Sequence, residues 1–215
     1  MIVMVIVFSN MFRFDIENYP VYLIIGQILF SFVTESTTQA IFSITGNAAL
    51  LKKTYVPKYE FTVAKVTSSL VNLIFSLGAM IIVFLICKVK FSAYFLWIPV
   101  VLIEIYIFCL GLGMFLAQAA VFFRDVQYIY GVLTTVWMYL TPIFYPLSAL
   151  PDNVQMLIKT FNPMYFYIEQ FRHVVLNGAM PDVQLILSGC VISAFMLLIG
   201  TWTFSRTQDK FILYI

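Results

Sequence analysis

The run Val66-Thr67-Ser68-Ser69-Leu70-Val71-Asn72-Leu73-Ile74-Phe75-Ser76-Leu77-Gly78-Ala79-Met80-Ile81-Ile82-Val83-Phe84-Leu85-Ile86-Cys87 contains no Asp, Glu, Lys or Arg. A helix rises about 1.5 Å per residue, so this run crosses the ~30 Å hydrocarbon core of a bilayer. A helix also satisfies its own backbone groups in hydrocarbon, so the run predicts an all-α membrane fold. Outward from it, similar stretches recur. Asn18 to Thr34 is uncharged, and after Glu35 the stretch continues to Leu51. Phe91 to Phe123 is broken only by Glu104, and Val183 to Ser205 carries no charge. Val126 to Pro151 is uncharged, with Pro142, Pro146 and Pro151 closing it. These stretches predict five full spans, at about 21–44, 62–87, 93–122, 127–145 and 183–205.

Composition agrees. The 215 residues are 62% hydrophobic and 10% charged, against about 45–50% and 25% in a soluble domain. So few charges cannot coat a soluble surface. A cytosolic enzyme, a disordered chain and a nucleic-acid binder are excluded; the net charge of +2 is near balance. Cys87, Cys109 and Cys190 lie far apart and read as apolar packing residues rather than disulfide or metal partners. His173 is the single histidine, and no second ligand accompanies it.

Residues 1–12 are uncharged but too short to cross. They lack the basic start and small-residue cleavage site of a signal peptide. They read as the second half of a span whose first half is absent here, with Met1 an internal methionine, a late start or the start of a short variant. Orientation follows from the basic residues. Lys52, Lys53, Lys58, Lys65, Arg124, Arg206 and Lys210 gather on one side, which is expected to be cytoplasmic together with the C-terminus. Arg13, Lys88, Lys90, Lys159 and Arg172 fall on the other. The outer region 146–181 is too apolar for a solvated loop and too short for two full spans. Pro151, Pro163 and Pro181 divide it into two pieces, read either as helices dipping into the outer leaflet or as an amphipathic pair lying flat on it.

No catalytic constellation appears. GxxxxGK[ST], GxSxG and HExxH are absent, so the chain has no such ATP or hydrolytic site. Gly111 and Gly113 lie inside a span, and Gly113 with Ala117 reads as a close helix-packing face. Gly46 to Lys58 is the most specific segment. Asn47 can cap a short helix, Pro57 can stop it, and Leu50, Leu51 and Tyr55 would share a face. Such a helix presents apolar knobs and lysines to a cytoplasmic partner, or anchors on anionic headgroups.

Buried charge narrows the candidates further. A mid-membrane carboxylate costs roughly 2.5–3.5 kcal/mol, so Glu35 and Glu104 should face protein or water. Glu35 reads as a pore or dimer-interface group, or as a hydrogen-bonded packing residue. Glu104 is expected to pair with hydroxyls on a neighbouring helix. Tyr128, Trp137, Tyr139, Phe144 and Tyr145 read either as the lining of a translocation path or as the interfacial aromatic belt. Arg124-Asp125 closes a tight turn, where the two side chains cap helix ends or neutralise each other, or where Arg124 meets a lipid phosphate. Glu169 and Arg172, at i and i+3, are expected to pair locally.

Several segments in order resemble a known family. They are Phe32-Val33-Thr34-Glu35-Ser36-Thr37-Thr38-Gln39-Ala40, then Gly46 to Lys58, Phe122-Phe123-Arg124-Asp125-Val126, Leu140-Thr141-Pro142-Ile143-Phe144-Tyr145-Pro146, Phe161-Asn162-Pro163 and Glu169-Gln170-Phe171-Arg172. The set resembles the membrane subunit of type-2 ABC exporters of polysaccharides and teichoic acids, over about 19–205. The resemblance implies a polytopic six-span ABC-2 transmembrane domain across 1–215, with the first span truncated and a re-entrant helical hairpin between spans 5 and 6, containing Asn162, Pro163, Glu169 and Arg172. It implies a pore shared with a second copy of the chain. Two separate ABC ATPase subunits would hold ATP and Mg, which this chain lacks, and would dock at a coupling helix over 46–58. Asn47, Leu50, Lys52, Lys53, Tyr55, Pro57 and Lys58 would carry that contact. The substrate would be a glycan or polyol-phosphate polymer on undecaprenyl diphosphate, flipped outward across a bacterial cytoplasmic membrane. Two departures stand out: family members carry an amphipathic helix and a complete first span upstream, and Glu104 matches no family position. A type-2 ABC exporter of drugs or lipids, and an ATPase-independent channel or structural membrane protein, are the alternatives.

Overall fold

The computed structural model describes residues 18–53 and 56–214. They form helices α1 (Tyr19–Thr45), α2 (Ala48–Leu51), α3 (Lys58–Ile86), α4 (Ile98–Phe122), α5 (Val126–Leu140), α6 (Asp152–Phe161), α7 (Pro163–Leu176) and α8 (Val183–Thr207). Short 3-10 turns occupy Ala93–Trp97, Leu147–Ala149 and Gln208–Leu213. No strand occurs among the described residues.

Four stretches are long and apolar enough to cross a membrane: Tyr19–Thr45, Lys58–Ile86, Ala93–Phe122 and Val183–Leu213. They coincide with the expected spans 21–44, 62–87, 93–122 and 183–205. The span expected at 127–145 is shorter. α5 ends at Leu140 after 15 residues, about 22 Å of helix. Pro142 is the physical reason: it has no N–H to donate and it disfavours helical geometry at Thr141. Thr141 instead turns its hydroxyl back onto the Trp137 carbonyl at 2.8 Å. The region 146–181 does contain two short helices, α6 and α7, with Pro163 at the start of the second. The half-span expected at 1–12 lies outside the described residues.

The chain divides into two compact units. The first contains the described residues up to Ser31, with Ile74–Leu102 and Val136–Gly189. Its interior is built from α7, which buries Met164, Phe166, Tyr167, Ile168, Phe171, Val174 and Val175, and from the start of α1, which buries Val21, Leu23, Ile25 and Leu29. α6 buries Ile158 and exposes Met156, Leu157 and Phe161.

The second unit contains Phe32–Leu73, Ile103–Thr135 and Cys190–Ile215. Ile44, Leu51, Met114, Ala117, Val121, Phe204 and Phe211 form one core cluster; Ile41, Leu116, Ala120 and Tyr130 form another. Gly113 and Ala117 do pack closely: a Cβ on Gly113 would stand 3.0 Å from the Ala40 Cβ, and Ala117 is fully buried. The tightest crossing lies between α4 and α8. A Cβ on Gly111 would overlap backbone atoms of Met196 and Leu197, and one on Gly200 would overlap the backbone of Gly111. α4 and α8 therefore meet backbone to backbone, as small residues allow in apolar surroundings.

Glu104 is 4% exposed in this unit. A hydroxyl on a neighbouring helix does meet it, as expected, and a thiol joins it. The Cys190 thiol donates to Glu104 Oε1 at 3.2 Å, while the Ser193 hydroxyl donates to the Glu104 backbone carbonyl at 2.9 Å. Cys190 is thus a hydrogen-bond donor, not only a packing residue.

Candidate functional site

The segment 46–58 is less helical than its sequence suggests. α2 is one turn, Ala48–Leu51, and Tyr55 lies outside the described residues. Asn47 stands at the N-cap position, but its side chain donates backward to the Ser43 carbonyl at 2.8 Å. Leu50 and Leu51 do not share a face: Leu50 is 49% exposed and Leu51 only 6%. Adjacent helical residues point about 100° apart, which explains the split. Pro57 does not terminate α2; it immediately precedes α3, where its missing N–H costs nothing. Lys58 turns inward. Its Nζ donates to the Gln208 carbonyl at 2.5 Å and lies 5.8 Å from the Phe211 ring centre. Lys52 and Lys53 stay exposed.

Beside α2 opens a cavity of about 400 Å³, with Phe42, Ala48 and Val121 on its apolar wall and Arg124, Gln127 and Tyr214 among its polar linings. Arg124 and Asp125 form no ion pair with each other, contrary to one expectation; the Asp125 carbonyl accepts from the amides of Tyr128 and Ile129 and so starts α5. This surface offers an apolar socket, two exposed lysines and a guanidinium, which suits an acidic protein edge with an apolar knob.

A second constellation lies in the first unit, where the sequence motifs of 140–146, 161–163 and 169–172 meet. Arg172 is 3% exposed. It does not pair with Glu169, whose carboxylate is 3.9 Å from His173 Nε2. Arg172 instead donates to the carbonyls of Pro142 (2.8 Å), Ile143 (3.3 Å) and Tyr22 (3.2 Å), and its guanidinium stacks 3.3 Å from the Tyr22 ring centre. Gly26 makes room: a Cβ there would stand 3.1 Å from Arg172 Nη2. Burial pushes the guanidinium below its ordinary value, and Tyr22 and Glu169 oppose that shift. Tyr19 and Tyr22 hold the same turn, donating to the carbonyls of Phe144 and Tyr145 at 2.9 Å.

Asn162 is the companion clamp. Its Oδ1 accepts from the α7 amide of Met164 at 3.1 Å and from Trp137 Nε1 at 2.9 Å. Its Nδ2 donates to Thr141 Oγ1 at 3.0 Å. Asn162-Pro163 is thus a helix N-cap followed by proline at the first helical position. Tyr19, Tyr22 and Gly26 were not singled out in the sequence; the signal available was the break at Thr141-Pro142, which leaves carbonyls seeking donors.

Of the residues expected along a path, Glu35 and Tyr128 belong to the second unit and Trp137, Tyr139, Phe144 and Tyr145 to the first. Glu35 accepts from Gln39 Nε2 at 3.2 Å and from Asn72 Nδ2, so it is bonded within its own unit. Trp137 spends its indole N–H on Asn162, and Phe144 is buried. Tyr145 donates to the Tyr139 carbonyl at 2.7 Å. Tyr128 and Tyr139 are 70% and 63% exposed, on an outward face of α5 that also shows Val132 and Val136.

Comparison with known proteins fits this architecture. Residues 1–176 match the ABC-2 type transporter family. The O-antigen export system permease protein RfbA of Myxococcus xanthus is 26% identical over 212 residues, 98% of this chain and 82% of that protein. The protein of the same name from Klebsiella pneumoniae is 26% identical over 207 residues, 95% of this chain and 79% of that protein. The chain belongs to the ABC-2 type transporter family.

Proposed function

We propose that this chain is the permease subunit of an ATP-driven exporter that moves a lipid-linked polysaccharide outward across the cytoplasmic membrane of a bacterium. The observation that carries the reading is the likeness to O-antigen export permeases along 98% of the chain. In this reading two copies of the chain form the path, each with six spans, and two ABC ATPase subunits hydrolyse ATP below them. The end of the molecule bearing 46–58, the 123–125 turn and the C-terminus faces the cytoplasm. Exposed Leu50, Lys52 and Lys53 receive the ATPase, with the cavity beside α2 as the adjoining socket. α6 and α7 form the re-entrant pair of the outer leaflet, pinned by Asn162 and Arg172. The aromatic face of α5, with Tyr128 and Tyr139, offers π-surfaces and hydroxyls to passing sugars. The cargo is a glycan, or a polyol phosphate of the teichoic acid type, on undecaprenyl diphosphate.

Depletion of the chain tests this. Surface glycan is expected to fall while lipid-linked precursor accumulates on the cytoplasmic side. Unchanged surface glycan without precursor accumulation would overturn the assignment.

A further inference from the structure

We propose that the C-terminal turn Gln208–Leu213 is a brace that fixes the 46–58 segment to the ends of α4 and α8, with Phe211 as a positioning residue for coupling ATP hydrolysis to export. The inference rests on ATPase docking at 46–58.

A one-turn helix has no stability of its own, because helix nucleation is unfavourable. α2 must therefore be held by what it packs on. Leu51 is its buried residue, and it belongs to the cluster that contains fully buried Phe211. The Phe211 ring meets Phe204 of α8 edge-on at 5.2 Å and Phe122 of α4 at 6.0 Å. Tyr214 adds an edge contact to Phe122 at 5.0 Å. The far end of the segment is tied to the same turn, since Lys58 Nζ donates to the Gln208 carbonyl and faces the Phe211 ring. At the base of the turn, the Thr207 hydroxyl donates to Gln118 Oε1 of α4 at 2.6 Å. Along the chain, 46–58 joins only α1 and α3. Through Phe211 it also grips α4 and α8. A force on Leu50, Lys52 or Lys53 then reaches four long helices instead of two.

The test uses the full complex of permease and its ATPase, reconstituted in vesicles with lipid-linked glycan. Phe211→Ala is expected to keep the ATPase subunits bound within about two-fold while glycan exported per ATP falls about tenfold. Phe211→Leu, which retains apolar volume, should recover most of it. Export per ATP unchanged in Phe211→Ala overturns the brace. A second measurement needs no ATPase and covers a Phe211→Ala protein that fails to fold. Spin labels at Leu50 and Lys210 should give one narrow distance in the parent and a broadened one in Lys58→Met; equal widths overturn the proposal. Lys52→Glu with Lys53→Glu separates the underlying reading: undiminished ATPase binding there removes docking at 46–58, while the spin-label result still decides whether the brace exists.

Discussion

Arg172 shows how a buried charge is kept without a carboxylate hydrogen-bonded to it. Three carbonyls and one aromatic face take the place of a carboxylate. Only a planar guanidinium can spread donors over three acceptors and stack at the same time. Arg172→Lys is therefore expected to behave more like a deletion than a conservative change. It leaves buried carbonyls short of donors, at about 1–3 kcal/mol for each group left unsatisfied. Thermal unfolding in detergent checks this, and a parental midpoint in Arg172→Lys would show that the planar geometry is dispensable. Asn162→Asp makes a complementary case. It keeps the oxygen that accepts from Met164 and Trp137 and loses the amide that donates to Thr141. Its loss should be smaller than that of Asn162→Ala, for which about 1–2 kcal/mol is expected as for a missing N-cap. The fluorescence of Trp137 reports both. At this scale the sequence was half legible. Pro151, Pro163 and Pro181 divide the region 146–181 into two pieces, and the structure has a short helix in each, with Pro163 at the start of the second. Glu169 and Arg172 are one turn apart, and that spacing suggested a pair. Local spacing could not show that the carbonyls freed at Pro142 lie within reach of Arg172 and compete for it.

The elements divide into those defined by hydrophobic length and those defined by contacts. The four long helices follow from charge-free runs, and their ends agree with expectation to within a few residues at most termini. α5 was overextended because its apolar run continues past the proline that ends the helix. α2 was overextended because an amphipathic pattern over 46–58 was read as a helix where one turn stands. The α4–α8 crossing was missed for a different reason. Glycine pairs are visible in sequence, but Gly111 and Gly200 lie far apart in the chain, and only packing brings them together. Substitutions there should be graded by space. Gly111→Ala and Gly200→Ala put a methyl group into backbone and are expected to abolish folding. Gly113→Ala needs a shift of a few tenths of an ångström and should cost about 1–3 kcal/mol, as overpacking does. Gly78→Ala, with nothing within 4 Å of the added carbon, should be tolerated. Yield of monodisperse protein in detergent ranks the four, and a tolerated Gly200→Ala would contradict the backbone contact.

For the molecule as a whole, exposure separates the helices. In its most apolar stretch α1 is 67% buried, while Lys58–Ile86 is 22% and Val183–Leu213 is 17% buried. Phe75, Ile86, Phe195 and Leu198 stand exposed on the last two. Such surfaces are stable only in lipid or against another apolar chain. That requirement is what the 62% hydrophobic composition expresses. Composition, however, does not say which faces meet lipid and which meet a second copy. The exposed lysines beside α2 carry the remaining prediction. If Lys52 and Lys53 meet an acidic ATPase edge, Lys52→Glu with Lys53→Glu should reduce co-purification of the ATPase at least tenfold. Raising salt should weaken the parental complex, because exposed charge pairs are screened. Salt-independent binding would point to an apolar contact through Leu50 and the neighbouring cavity.

The Arg172 clamp also carries information about time. Tyr22 and Pro142 are synthesised well before Arg172; the Tyr22 hydroxyl already reaches the Pro142 carbonyl, while the Ile143 carbonyl gains its guanidinium donor only once α7 has been made. Until α7 packs, that carbonyl lacks this donor, and burying a polar group without a partner is costly. A chain that misplaces α7 is therefore penalised in the turn after α5 as well as in its own packing.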